Sequence, residues 1–319
     1  MRYRTSLAGI VAASSLVSMN ALGATLTVGP GGQHAKPCAA FAAASDGDTI
    51  EIDAAGSYNG DVCAIGKSNL TIRGVNGRAK IDAAGKNSQG KAIWVIQGHD
   101  TTIENVELSG CAVPDKNGAG IRQEGANLTL RNCYFHDNEN GILTGANDQS
   151  SIVIEHSEFG NNGDGEGYAH NMYIGHIKSF TLRGCYSHHS KSGHLVKSRA
   201  AENYILYNRI TGEDGTGSYE IDLPNGGLSF VIGNVVQQGT TTENGAMMSY
   251  AKEGASNPDS RLFVINNTFV NDRKSGTFIN VQDGLSPILL RNNIFTGGGT
   301  VTSQASADKA GNFETGDPM

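Results

Sequence analysis

The sequence predicts one all-β domain, a right-handed parallel β-helix (solenoid) of about ten coils with a short N-terminal capping helix. Three observations lead there. A short apolar phrase recurs along nearly the whole chain, and its spacing varies from one occurrence to the next. Glycine is abundant and aromatic residues are few, with 43 Gly and 7% aromatic in 319 residues. The glycines follow no three-residue period, which excludes a collagen triple helix.

The phrase is an apolar pair, a polar residue, then a small or amide residue. It reads Leu70-Thr71-Ile72-Arg73-Gly74, later Leu130-Arg131-Asn132-Cys133 and Leu182-Arg183-Gly184-Cys185, and finally Leu290-Arg291-Asn292-Asn293. Aligning Cys133, Ser157, Cys185, Asn208, Asn234, Asn267 and Asn293 gives steps of 24, 28, 23, 26, 33 and 26 residues. A constant phrase with variable steps describes stacked coils whose loops differ in length. Each phrase is a short period-2 strand ending in a turn, and each coil buries its apolar side only against its neighbours. The Asn-rich column is expected at that turn, bonded to the amides above and below and tolerant of left-handed backbone. Cys133 and Cys185 occupy it two coils apart, about 9–10 Å, too far to bridge.

The chain begins with Arg2 and Arg4, an apolar run from Leu7 to Val17, and small residues at Ala21-Leu22-Gly23-Ala24. This order predicts a signal peptide over residues 1–23 and a secreted or periplasmic protein. No later stretch is long and apolar enough for a membrane span. Losing Arg2 and Arg4 with no acid takes the formal net charge from −7 to −9. That acidity, with no Lys/Arg run, argues against nucleic acid or membrane as a partner. An acidic polymer would need local cations or a bridging metal. Pro37 opens an Ala-rich stretch, Cys38 to Ala44, read as a helix over the open end of the first coil. Cys38 and Cys63 are candidates to bridge this cap to the first coils, although spacing alone does not fix the pairing and the odd count leaves at least one thiol. The lone Trp94 reads as core. The solenoid is expected over residues 24–300, with residues 301–319 as a C-terminal cap or disordered tail.

A second strand follows each coil's loop, as in Gly120-Ile121-Arg122, His170-Asn171-Met172-Tyr173-Ile174, His194-Leu195-Val196-Lys197-Ser198-Arg199 and Tyr219-Glu220-Ile221-Asp222-Leu223. Alternation sorts the faces. Lys197 does not belong in a dry core, so Val196 and Ser198 point inward and Lys197 and Arg199 outward. The same rule places Tyr173 and Asp222 outside in one column with Lys197. It places Asn171, Leu195 and Glu220 in the neighbouring outward column, and His170, His194 and Tyr219 at the strand start. Two histidines, two tyrosines, a lysine, an arginine and two acids in three adjacent coils form a concentration of proton-transfer groups.

β-Elimination on a uronic acid needs a base for the C5 proton, a cation or metal for the carboxylate, and an acid for the leaving oxygen. Lys197 suits the base. Arg199, or a calcium ion held by Glu220, Asp222 and Asn171, suits the carboxylate. Tyr173, His170 or His194 suits the acid. Asn171, Tyr219 and Arg122 are expected to contact substrate. The expected partner is an acidic polysaccharide, and the expected state a monomer.

The run Ala40-Phe41-Ala42-Ala43-Ala44-Ser45-Asp46-Gly47-Asp48-Thr49-Ile50-Glu51-Ile52, then Gly56-Ser57-Tyr58 and Ile72-Arg73-Gly74, resembles the pectin-lyase-like β-helix superfamily. The run Val196-Lys197-Ser198-Arg199, with Glu202-Asn203-Tyr204 and Tyr207-Asn208, resembles its chondroitinase-B-like and alginate-lyase branch. That resemblance implies a polysaccharide lyase with Lys197 as the base. The branch's catalytic arginine in the next coil is replaced here by Asp222. Tyr219-Glu220-Ile221-Asp222-Leu223-Pro224 is faintly similar to the Tyr-Gly-Phe-Asp-Pro-His signature of mannuronan epimerases, which keeps a C5-epimerase as the alternative. A non-catalytic carbohydrate-binding or adhesion β-helix is the reading from a different class.

Overall fold

The computed structural model describes Met1 and residues 23–316. Residues 2–22 of the expected signal peptide and the last three residues of the tail lie outside the described residues. The remainder is an all-β, right-handed parallel solenoid of about eleven turns with one short helix.

Each full coil gives one strand to each of three parallel sheets, which among the described residues hold 12, 10 and 10 strands. One coil runs Leu128–Arg131 in the first sheet, Tyr134–His136 in the second and Asn140–Thr144 in the third, before Asn147–Glu155 returns to the first. The middle strand is the one the sequence conceals. Only two residues separate it from the recurring phrase, so no loop composition marks the corner.

That corner is built by a left-handed residue followed by an inward one. The left-handed positions are Asn132, His156, Gly184, Tyr207, Gly233, Asn266 and Asn292, each at φ between +49° and +70°. They stand one place before the aligned column, so the column residues themselves are not left-handed as expected. They point inward and form the ladder. Asn208 Nδ2 donates to Asn234 Oδ1 at 2.9 Å, Asn234 to Asn267 at 2.9 Å, and Asn267 to Asn293 at 3.0 Å. Each Oδ1 also accepts the backbone N–H of the coil before it. A second ladder, Asn138–Asn162–Asn171, lines the next corner.

The interior is a stack of aliphatic and phenyl layers, including Phe135 on Phe159 and Phe269 on Phe295. Each such side chain contributes about 1.5–3 kcal/mol when fully buried. The cap helix, Pro37–Ala43, sets Phe41 edge-on against the fully buried Trp94, with ring centroids 5.3 Å apart. Cys38 and Cys63 are joined in a disulfide. Cys111, Cys133 and Cys185 are buried thiols, pushed by desolvation up to about 12, 11 and 12. No helix among the described residues is long and apolar enough to cross a membrane.

The sequence leaves residues 301–319 as a C-terminal cap or a disordered tail. Thr300–Thr302, Asp308–Ala310 and Phe313–Thr315 each add a strand to one of the sheets, and Asn312 extends the amide ladder. Residues up to Thr315 are a last coil rather than a disordered tail. The polar composition of this coil hides the repeat.

Candidate active site

The third sheet carries the site. Its register pairs Tyr173 with Lys197 and Lys197 with Asp222, so the three stand on successive rungs, about 4.8 Å apart. The flanking Met172, Ile174, Val196, Ser198, Ile221 and Leu223 are buried, as the alternation requires. Just past the Lys197 strand, Arg199 turns back across the rungs. Its Nε donates to Tyr173 Oη at 2.8 Å, one terminal nitrogen donates to Asn225 Oδ1 at 2.6 Å, and the other pairs with Glu253 at 2.7 Å. Lys197 Nζ lies 3.5 Å from Asp222 Oδ2 and 3.7 Å from Glu253 Oε1.

His170, His194 and Tyr219 stack at the strand start, with centroids 4.7 and 5.1 Å apart. The backbone N–H of His194 donates to His170 Nδ1 at 2.9 Å, and that of Tyr219 to His194 Nδ1 at 3.2 Å. Each ring therefore carries its proton on Nε2 when neutral. Both rings are held neutral. Burial, with Lys197 and Arg199 nearby, lowers His170 to about 3. Burial, His170 and the same two cations take His194 well below its ordinary value. His194 Nε2 points to Asp222 Oδ2 at 3.5 Å. Burial raises the Asp222 carboxyl against the opposing pull of Lys197.

Two expected site residues face the other way. Asn171 and Glu220 share a column with Leu195, as read from the sequence, but that column is interior, with all three side chains fully buried. The strands begin two residues later than the sequence reading assumes, at Met172, Val196 and Ile221. The residue before each occupies the bend, where its side chain turns into the core. The Asn171 amide is spent on Phe159 O, Ser187 Oγ and His188 O. Neither carboxyl oxygen of Glu220 has a hydrogen-bond partner among the described residues, and burial raises this group well above the carboxylate range. The oxygen set proposed for calcium is thus dispersed, leaving Asp222 alone on the face beside a lysine and a histidine. Among the described residues no group of three or more His, Cys, Asp or Glu forms a metal site. These residues do not fit the ion.

Arg122 lies on the same outward column, two rungs before Tyr173 with Leu143 between them. Glu253 and Asn225 are the site residues that sequence reasoning missed. Neither lies on a strand of the repeat, so the register does not reach them. Asp222 pairs with Ser249, and Glu253 stands four residues beyond it, on the same side as Arg199.

Residues 65–217 match the family described as right handed beta helix region, and the chain folds as a right-handed parallel β-helix. No curated protein matches it in sequence. One similar solved structure is alginate lyase from Paenibacillus sp. str. FPU-7, at 17% identity over 92% of this chain and 98% of that one, with TM-score 0.47. Another is the A-module of the mannuronan C-5 epimerase AlgE6 of Azotobacter vinelandii, at 13%, 85% and 84%, with TM-score 0.44. A third is pectin methylesterase from Aspergillus niger, at 12%, 90% and 89%, with TM-score 0.41. At these identities the likeness is one of fold.

Proposed function

We propose that this protein is an exported polysaccharide lyase that cleaves a uronate-containing polysaccharide by β-elimination at the Tyr173–Lys197–Arg199 cluster. The observation that carries the reading is the shared grip of Arg199 and Lys197 on one half-exposed carboxylate, that of Glu253. Two cations on adjacent positions already hold a carboxylate at the mouth of a cluster of proton-transfer groups. A uronate carboxylate fits the same grip.

In this reading Arg199 neutralises the substrate carboxylate, which acidifies the neighbouring C5–H. The base form of Lys197 is its free amine, and Asp222 Oδ2 lies 3.5 Å from that nitrogen. Lys197 Nζ removes the C5 proton, the C4=C5 double bond forms, and the C4–O4 bond breaks. Tyr173 accepts from Arg199 Nε, so its own O–H is available to protonate the departing O4. Arg199 stabilises the phenolate until solvent returns the proton. His170 and His194 serve as fixed Nε2–H donors and not as bases, because each Nδ1 is committed to a main-chain N–H. The Cys38–Cys63 disulfide supports export to an oxidising compartment.

The test is the ultraviolet absorbance of unsaturated uronate on a panel of uronate polysaccharides. Absorbance should rise with the wild type and stay flat with Lys197→Ala. A flat trace with both, and unchanged uronate stereochemistry by NMR, would overturn the reading. Inversion at C5 without a double bond would assign the same two proton-transfer rungs, Tyr173 and Lys197, to a C5-epimerase.

A further inference from the structure

Arg122 is the one arginine among the described residues without a hydrogen-bond or ion-pair partner. Arg73, Arg131, Arg183, Arg199, Arg209, Arg261 and Arg291 are each paired with a carboxylate. Arg78 and Arg273 are bonded to an amide and a carbonyl oxygen. The Arg122 Nε is buried and unsatisfied. Glu124 feels its charge but is bonded to Lys91. An arginine left open in this way, where every other described arginine is bonded, is built to receive an anion.

The space in front of it is a cleft of about 370 Å³ that Arg122 shares with Leu143, Tyr168 and Tyr173, with Asp115, Asp164 and Glu166 on the walling loops. Two loops wall it and are clasped to each other by the Lys116–Glu166 ion pair. Tyr168 is 85% exposed, an aromatic face offered to solvent at the edge of the cleft. Tyr173 belongs to this cleft and to the proton-transfer cluster alike, so the two are continuous. Arg122, Leu143, Tyr173 and Lys197 occupy four successive rungs of one column. Arg122 therefore stands three rungs from Lys197, about 14 Å along the solenoid axis.

We propose that this cleft seats further units of the polymer. Arg122 binds the carboxylate of a second uronate, Tyr168 stacks on a sugar ring, and the chain runs from Lys197 toward the N-terminal coils. The proposal rests on the β-elimination reading and extends it, because it makes turnover depend on chain length and on charge remote from the scissile bond. The rise per rung is close to the advance of one pyranose, so an oligomer of about four units reaches Arg122.

The experiment measures kcat/KM of the wild type, Arg122→Ala and Tyr168→Ala on uronate oligomers from two to eight units. Binding of the same oligomers to Lys197→Ala and to Lys197→Ala/Arg122→Ala is measured alongside. Arg122→Ala is expected to lower kcat/KM roughly ten- to a hundredfold on the long oligomers, mainly through KM, and to leave the dimer unchanged. The double variant is expected to lose affinity for long oligomers by the same factor. Turnover that is equally impaired at every length would make Arg122 structural and overturn the proposal. Normal turnover of long oligomers by Arg122→Ala would overturn it and leave the β-elimination reading intact. Absence of both turnover and binding in the parent proteins would overturn the two together.

Discussion

Glu253 offers the sharpest perturbation of the cation grip. In the free protein its carboxylate occupies the place assigned to the substrate carboxylate, 2.7 Å from Arg199 and 3.7 Å from Lys197. At such distances two unit charges attract by about 1 kcal/mol in water and by several at the effective dielectric of a protein surface. The Glu253 side chain is 51% exposed, which places each pair near the lower figure. Glu253→Gln removes this competitor and keeps the side chain's shape. In the Lys197→Ala background, which prevents turnover, the freed Arg199 should then bind a uronate more tightly by about 1 kcal/mol, or about 5-fold in Kd. The assay is titration of a uronate oligomer into Lys197→Ala/Glu253→Gln and Lys197→Ala at low salt, repeated at high salt, where the gain should shrink. If Glu253 only orients Arg199, the substitution will weaken binding. Equal or weaker binding would refute the claim that Glu253 holds the place of a substrate carboxylate.

Other expectations follow from the interior. Asn267→Leu breaks the ladder on both sides, leaving the Asn234 main-chain N–H without its acceptor and taking one bond each from the Asn234 amide and the Asn293 oxygen. At about 1–3 kcal/mol for each buried group left unmade, it should cost about 3 kcal/mol or more in a urea melt. Glu220 keeps its proton in the fold and loses it when unfolded above the ordinary Glu range, so its burial costs more as pH rises. Glu220→Gln should therefore melt higher than the wild type by a margin that widens as pH rises above the ordinary Glu range. His170 has the same linkage with the opposite direction in pH. Its folded value of about 3 lies below the unfolded one, so its stability is complete above about 6.5 and lost as pH falls toward 3. Between pH 7 and 5 the wild type should lose about 2 kcal/mol that His170→Asn does not lose.

Much of this was legible in the residues, and the part that was not has a physical cause. The ladder column could be aligned from sequence because an inward polar side chain at a corner tolerates little besides Asn, Ser or Cys. The column Tyr173, Lys197, Asp222 was legible because a lysine cannot point into a dry core, and that one residue sets the phase of three coils. The phase fails at Asn171 and Glu220. Alternation holds only within a strand, and these strands are three residues long, so the corner begins where the pattern was still being counted. Glu220 is the more instructive error. A carboxyl in the core is rare enough that sequence reasoning sends it outside, yet the fold keeps it, its proton offsetting the missing partners. Glu253 escaped notice because it lies beyond its strand, on a loop that carries no trace of the repeat.

The most direct test of the central claim is exchange at C5. A uronate polymer incubated with the protein in D2O and followed by NMR should lose its C5 proton signal as a vinylic C4 signal grows. Both changes should be absent with Lys197→Ala. Chain cleavage with every C5 proton retained would contradict proton abstraction by Lys197 and, with it, the assignment of this face as the site of β-elimination.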